Sequence, residues 1–254
     1  MLALAPRLVG DRAGAAFTSR DGGVSSAEFG ALNLSHFVGE APSAVDRNRE
    51  LVQSWLRASA PAGPEGTPGV RTLAWMRQVH GADVAYAGDL APGEIPEVDA
   101  IYSDSPEIAL AVLVADCAPV LIADSSAGVI GAAHAGRPGM AAGVVPALVE
   151  AMAKAGADPA RMTALIGPAI CGPCYEVPEQ LRAEVEAAVP GSACVTRQGT
   201  AGVDLRAGIR RQLASCGVGA LADDARCTRE SPELYSYRRE GTTGRFAGLI
   251  WLTA

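Results

Sequence analysis

Unbroken apolar segments dominate the middle of the chain: Ile108–Val114, residues 120–123 and residues 129–133, each bounded by Asp, Gly or Pro. Runs that lack polar alternation predict strands covered on both faces. Further strands are predicted over residues 72–79, residues 162–166 and Phe246–Leu252. Apolar positions at helical spacing predict helices over residues 43–58, with Ser43 as N-cap, and over residues 140–155, 178–188 and 204–215. The stretch GPAICGPCYEV (residues 167–177) reads as a loop. APAGPEGTPG (residues 60–69) reads as a linker too short to separate two independent domains. Strands and helices interleave without a strict βαβ rhythm, so a mixed-sheet α/β or α+β arrangement is expected, in a single domain over residues 1–254.

Composition narrows the function. The 254 residues are 49% hydrophobic and 19% charged, which excludes a disordered chain or a charge-rich coiled coil. A net charge of -7 argues against a nucleic-acid footprint or binding to an anionic membrane. The longest clean apolar run is far short of a bilayer span, and no signal peptide precedes Arg7, so a soluble cytoplasmic protein is expected. Lys154 is the only lysine and ends an amphipathic helix without a Gly-rich loop before it, which excludes P-loop and Schiff-base chemistry. Six cysteines in that setting read as reduced thiols, available for metal binding or catalysis.

Only three histidines are present, so each is informative. His80 closes RTLAWMRQVH, Cys117 follows IALAVLVAD, and His134 ends GVIGAAH. All three stand at the ends of apolar strands, beside Gly81, Pro119 and Gly136, which open space. One thiolate and two imidazoles suit zinc with its fourth position open, the pattern of catalytic sites. The same residues also fit inert core positions, or a Cys117–His134 nucleophile–base pair without metal.

The segments RQVHGADV, ADCAPVLIAD, AAHAG, GPAICGPCYEV and SYRREGTTGRFAGLIWL, with TSRDGGVS and NLSHFVGE nearer the start, carry a family resemblance. In order and spacing they are similar to the bacterial laccase-domain proteins, also called polyphenol oxidases or peptidoglycan editing factors, which are multifunctional purine nucleoside phosphorylases. The resemblance spans nearly the whole chain. It implies a layered α/β/β/α fold like that of the toxin cysteine hydrolases, and zinc on His80, Cys117 and His134 as the catalytic metal site. It also implies phosphorolysis of adenosine, inosine and methylthioadenosine to base and (methylthio)ribose 1-phosphate, with adenosine deamination beside it. The expected partners are therefore purine nucleosides and phosphate; the oligomeric state is open, and a monomer is compatible. Two departures stand out: the family's HAGWRG is here HAGRPGM, placing Arg137 and Pro138 where Trp and Arg are usual, and Cys171 stands where Gly is common.

Phosphate binding favours arginine forks and backbone amides. Arg20, Arg238, Arg239 and Arg245, each near Gly, are the candidates, with Ser236 and Tyr237 in the same loop as two of them. Gln78 alternates with His80 and is expected to line the cleft. Asp116 is expected to point away from Cys117, and His36 to be structural or a pocket wall. Three further readings fit parts of the sequence. CGPC at residues 171–174 matches the thioredoxin tetrapeptide but lies in a Pro-rich loop. A four-copper oxidase needs more imidazoles than three histidines supply, although one copper on His₂Cys with Met76 or Met140 as axial ligand is conceivable as a polyphenol oxidase. A metal-independent Cys–His amidohydrolase editing peptidoglycan precursors is the main alternative.

Overall fold

Two mixed β-sheets lie face to face, each covered on its outer side by helices, in a computed structural model that describes residues 5–60 and 69–253. The first sheet has the spatial order β1 (Arg7–Leu8), β2 (Ala13–Phe17), β13 (Phe246–Leu252), β6 (Ile108–Val114) and β3 (Thr72–Ala74). The second runs β12 (Ala220–Asp223), β9 (Thr163–Ile166), β7 (Ala118–Asp124), β8 (Val129–Ala135), β5 (Ala100–Ser103) and β4 (Val84–Tyr86). A separate hairpin pairs β10 (Ala193–Val195) with β11 (Ala201–Val203). The β3/β6, β4/β5 and β9/β12 pairs are parallel and the other ladders antiparallel.

Side-chain alternation assigns the layers. On β6, Leu110, Val112 and Val114 face the space between the sheets, where they meet Leu121, Ile130, Ala132 and Leu165 of the second sheet. The opposite face, Ala109, Ala111 and Leu113, packs with Val52 and Leu56 of α1 (Pro42–Ser59). On β7, Val120 and Ile122 turn outward onto α2 (Arg137–Ala142), α3 (Val144–Lys154), α4 (Glu179–Ala188) and α5 (Leu205–Ser215). Both faces of the central strands are thus buried, which explains their continuous apolar sequences. The result is the layered α/β/β/α arrangement.

Several element boundaries differ from expectation for identifiable reasons. The strand expected over residues 72–79 keeps ladder bonds only at Thr72–Ala74. Beyond it the Gln78 side chain substitutes for a backbone partner, donating to Leu113 O at 2.6 Å and accepting from Leu113 N at 2.8 Å. The helix expected over residues 140–155 is two helices, because Gly143 takes a left-handed conformation (φ 86°) that ends α2 and begins α3. Helix α1 starts at Pro42 with Ala41 before it, so Ser43 is inside the helix and caps nothing. The central strands β7 and β8 extend further than expected, and residues 61–68 of the expected linker lie outside the described residues. Among the described residues, no helix is long and apolar enough to cross a membrane.

Candidate active site

His134 lies on β8, paired with Pro119, on the face that looks into the inter-sheet layer. Cys117 occupies the turn from β6 to β7, and His80 comes from the irregular segment after β3. The three meet where the inter-sheet layer opens to solvent. Their ligand atoms lie within 4.8 Å of one another, with Cys117 Sγ 3.9 Å from His80 Nε2. The two imidazoles stand edge to face at a 4.8 Å centroid separation. Gly136 is a spatial requirement: a Cβ there would stand 2.9 Å from both Cys117 Sγ and His80 Cδ2.

Asp99, fully buried at the start of β5, organises the group. Its Oδ1 accepts from His134 Nδ1 at 2.7 Å and from the His80 amide at 3.0 Å. Its Oδ2 accepts from the amides of Val79 at 3.0 Å and Gly81 at 2.7 Å. Three successive amides wrapped round one carboxylate hold His80 in a left-handed conformation (φ 63°) that a lone non-glycine residue avoids. Burial pushes the Asp99 carboxyl up, but these bonds outweigh it and hold it below its ordinary value.

With Nδ1 committed to Asp99, His134 presents Nε2 to the site. Burial pushes the Cys117 thiol up, while the charge and hydrogen bonds of His134 and His80 outweigh it and bring it down to about 6. Burial likewise lowers His134, but Cys117 and Asp99 together raise it to about 9. The metal-free pair is therefore thiolate and imidazolium near neutrality. The donor set fits zinc: tetrahedral Zn–S and Zn–N bonds place S and N about 3.5 Å apart, close to what is found here. The Asp99–His134 contact supplies the outer carboxylate that metal-bound imidazoles ordinarily have.

Asp116, beside Cys117, is also left-handed (φ 94°). Its carboxylate accepts from Thr228 Oγ1 at 2.5 Å and the Arg238 amide at 2.6 Å, and its carbonyl from the Ile170 amide at 2.9 Å. It pins two loops around the Cys117 turn.

A cavity of about 620 Å³ opens over the three residues. Arg137, Arg238 and Arg245 line it, with Gln78, Met76 and Tyr175 deeper and Phe37, Arg77, Val79 and Tyr237 exposed at the mouth. Arg245 is partly buried, which lowers its pKa, while Cys117 and Asp116 support its charge; one amino group donates to the Thr243 and Gly244 carbonyls. Arg238 donates to Glu176 O at 2.8 Å and lies over the Tyr175 ring. Arg137, the first residue of α2, stands by Tyr175, where its charge favours the phenolate.

Other expected binders are placed elsewhere. Arg20 spans Gly30 O and Glu240 and stacks on Tyr235. Arg239 donates to the carbonyls of Thr228, Arg229, Ser231 and Leu234, and to Glu240. Ser236 is buried and caps α6 (Tyr237–Glu240) by accepting from the Arg239 amide. These three build the loop and do not line the cavity. His36 bonds Asp46 at 2.8 Å, and Met140 packs against Gly208 in the helical layer. Asp99, Tyr175 and Thr228 were not singled out from sequence, because one Asp before an apolar strand, or one Tyr or Thr in a loop, carries no distinguishing pattern.

Comparison with known proteins agrees with this picture. A family model described as multi-copper polyphenol oxidoreductase laccase matches residues 14–253. A Streptomyces griseus protein named purine nucleoside phosphorylase is 53% identical over 239 residues, covering 93% of both chains. A Streptomyces coelicolor protein of the same name is 52% identical, covering 93% of this chain and 94% of its own. The crystal structure of a Neisseria meningitidis protein superposes with a TM-score of 0.85 at 34% identity, covering 100% of this chain and 99% of its own.

Proposed function

The chain belongs to the family of laccase-like multi-copper polyphenol oxidoreductases, and on that premise we propose that it is a zinc-dependent purine nucleoside phosphorylase. The reading takes adenosine, inosine and methylthioadenosine as substrates: phosphate oxygen replaces the purine nitrogen at C1′, and the base leaves with a proton. Adenosine deamination is a side activity of the same cavity. One observation carries the proposal. A soft N,N,S donor set and four arginines, Arg77, Arg137, Arg238 and Arg245, face a single cavity of nucleoside size.

Within that cavity His80, Cys117 and His134 would hold zinc, which supplies Lewis acidity toward a substrate oxygen when bound. Asp99 fixes the His134 tautomer so that its Nε2 lone pair faces inward. Arg137, Arg238 and Arg245 bind phosphate, since guanidinium forks match its oxygens and Arg245 is already partly desolvated. Tyr237 and Phe37 offer aromatic faces at the mouth for a purine. Gln78 is bound on both polar atoms to Leu113 and so shapes the wall instead of contacting substrate. Zinc is favoured over copper because phosphorolysis moves no electrons, although Met76 does line the cavity.

The Cys117–His134–Asp99 alignment also supports a second reading, a metal-independent cysteine hydrolase acting on peptidoglycan precursors. The test is inosine turnover with and without phosphate. Hypoxanthine and ribose 1-phosphate formed only when phosphate is present is the expected result. Free ribose formed without phosphate, or no turnover at all, overturns the phosphorylase reading.

A further inference from the structure

A second group of soft ligands lies outside the cavity. Cys171 and Cys174, on the tight turn Gly172–Cys174, meet Cys227 and Glu230 from a distant segment, with all four ligand atoms within 4.8 Å of one another. We propose that Cys171, Cys174, Cys227 and Glu230 form a structural zinc site that clasps the two loops flanking Asp116.

The geometry is that of a metal knuckle. Cys-x-x-Cys is a common spacing for zinc-binding thiolates, and the Pro173 turn brings the two cysteines together. The Cys171 amide donates to Cys227 Sγ at 3.3 Å, and the Cys174 amide closes the turn by donating to the Cys171 carbonyl at 2.9 Å. The N–H bond to Cys227 favours sulfur that carries negative charge. Cys174 Sγ lies 3.5 Å from Glu230 Oε1, about the S–O separation of two ligands on one tetrahedral zinc. Arg197 pairs with Glu230 and stands 3.8 Å from Cys174 Sγ, so a cation already borders the cluster and offsets the excess negative charge of three thiolates and a carboxylate. Zinc binding releases one proton from each thiol to solvent and changes no oxidation state.

A thioredoxin-like role fits less well. That chemistry needs an activated thiol opening a helix. Here the turn is one short 3-10 segment and does not open a helix.

The placement gives the site a purpose. Ile170 and Tyr175, on either side of the turn, line the cavity, and the Ile170 amide binds Asp116 O. Thr228, next to Cys227, donates to the Asp116 carboxylate. A metal joining Cys171 and Cys174 to Cys227 therefore locks both supports of the turn that carries Cys117.

The test uses Cys117→Ala, which disables the cavity's donor set, purified under reducing conditions. Elemental analysis is expected to find one zinc per chain in this variant. Replacing that zinc with Co²⁺ is expected to give thiolate-to-cobalt charge transfer with the intensity of three sulfurs. Adding Cys227→Ser, or separately Cys171→Ser, is expected to lower the zinc content below one equivalent, with the far-ultraviolet circular dichroism unchanged. Absence of zinc from Cys117→Ala, a cobalt spectrum without thiolate charge transfer, or a Cys171–Cys174 disulfide in the reduced preparation would each overturn the proposal.

Discussion

Asp99 and His134 are joined by a 2.7 Å hydrogen bond inside the protein, and the same carboxylate grips the backbone beneath His80. One acidic side chain thus sets the orientation of two of the three donors. Asp99→Asn keeps the shape but offers an NH₂ where the native oxygens only accept. The variant is expected to bind zinc about 10–100-fold more weakly and to lose about 1–3 kcal/mol of stability. Metal titration and thermal melting check this, and unchanged affinity would separate Asp99 from the metal site.

Thiol reactivity gives a second expectation. In metal-stripped protein Cys117 ionises near 6 because His134 and His80 stabilise its thiolate, whereas burial pushes Cys171, Cys174, Cys194 and Cys216 up. Reactivity follows the thiolate. Iodoacetamide labelling followed by peptide mass spectrometry is expected to modify Cys117 first at neutral pH. Its rate should fall as pH drops through about 6, and zinc should protect it. A midpoint near that of an ordinary thiol would contradict the ion pair.

The arginines divide by location. Arg245→Gln and Arg137→Gln, on the cavity wall, are expected to raise KM for phosphate by about 10–100-fold, the scale of one lost charge-assisted bond. Arg239→Gln is expected to lower Tm while leaving the phosphate KM of the folded fraction unchanged, because its bonds are all internal. Steady-state kinetics with varied phosphate, beside thermal melts, distinguish the two groups.

Acid sensitivity has a defined source in Asp124, buried on β7. It accepts from the amides of Ser126, Ala127 and Asp158 and pairs with Arg161. Burial pushes this carboxyl up, but those partners outweigh it and hold it below its ordinary value. A depressed carboxylate stabilises the fold above the unfolded-state value of about 4 and loses that contribution as pH falls through the folded value. Wild type is expected to exceed Asp124→Asn by about 1–3 kcal/mol at neutral pH, the gap closing at acid pH. Denaturant titration across pH measures it; a pH-independent gap would contradict the assignment.

Strands buried on both faces were legible because their apolar runs leave little alternative, and Ile108–Val114 and Phe246–Leu252 form as expected. Where side chains replace backbone partners, sequence patterning was silent. Gln78 ends a strand early by occupying Leu113, and Asp99 takes the three amides that follow. Scarcity made His80 and His134 conspicuous, and the structure brings them to Cys117. The arginines were less legible: local sequence gives Arg239 and Arg245 similar Gly-rich settings, and only tertiary placement turns one into the loop and the other into the cavity.

The central claim is that a cation held by His80, Cys117 and His134 is required for phosphorolysis. Stripping wild type and Cys117→Ala of metal, then titrating zinc while following phosphate-dependent inosine cleavage, tests it most directly. Wild type is expected to be inert when stripped and to recover fully with zinc, while Cys117→Ala stays inert at every zinc concentration. Full turnover by metal-free wild type, or zinc-restored turnover in Cys117→Ala, would contradict the account.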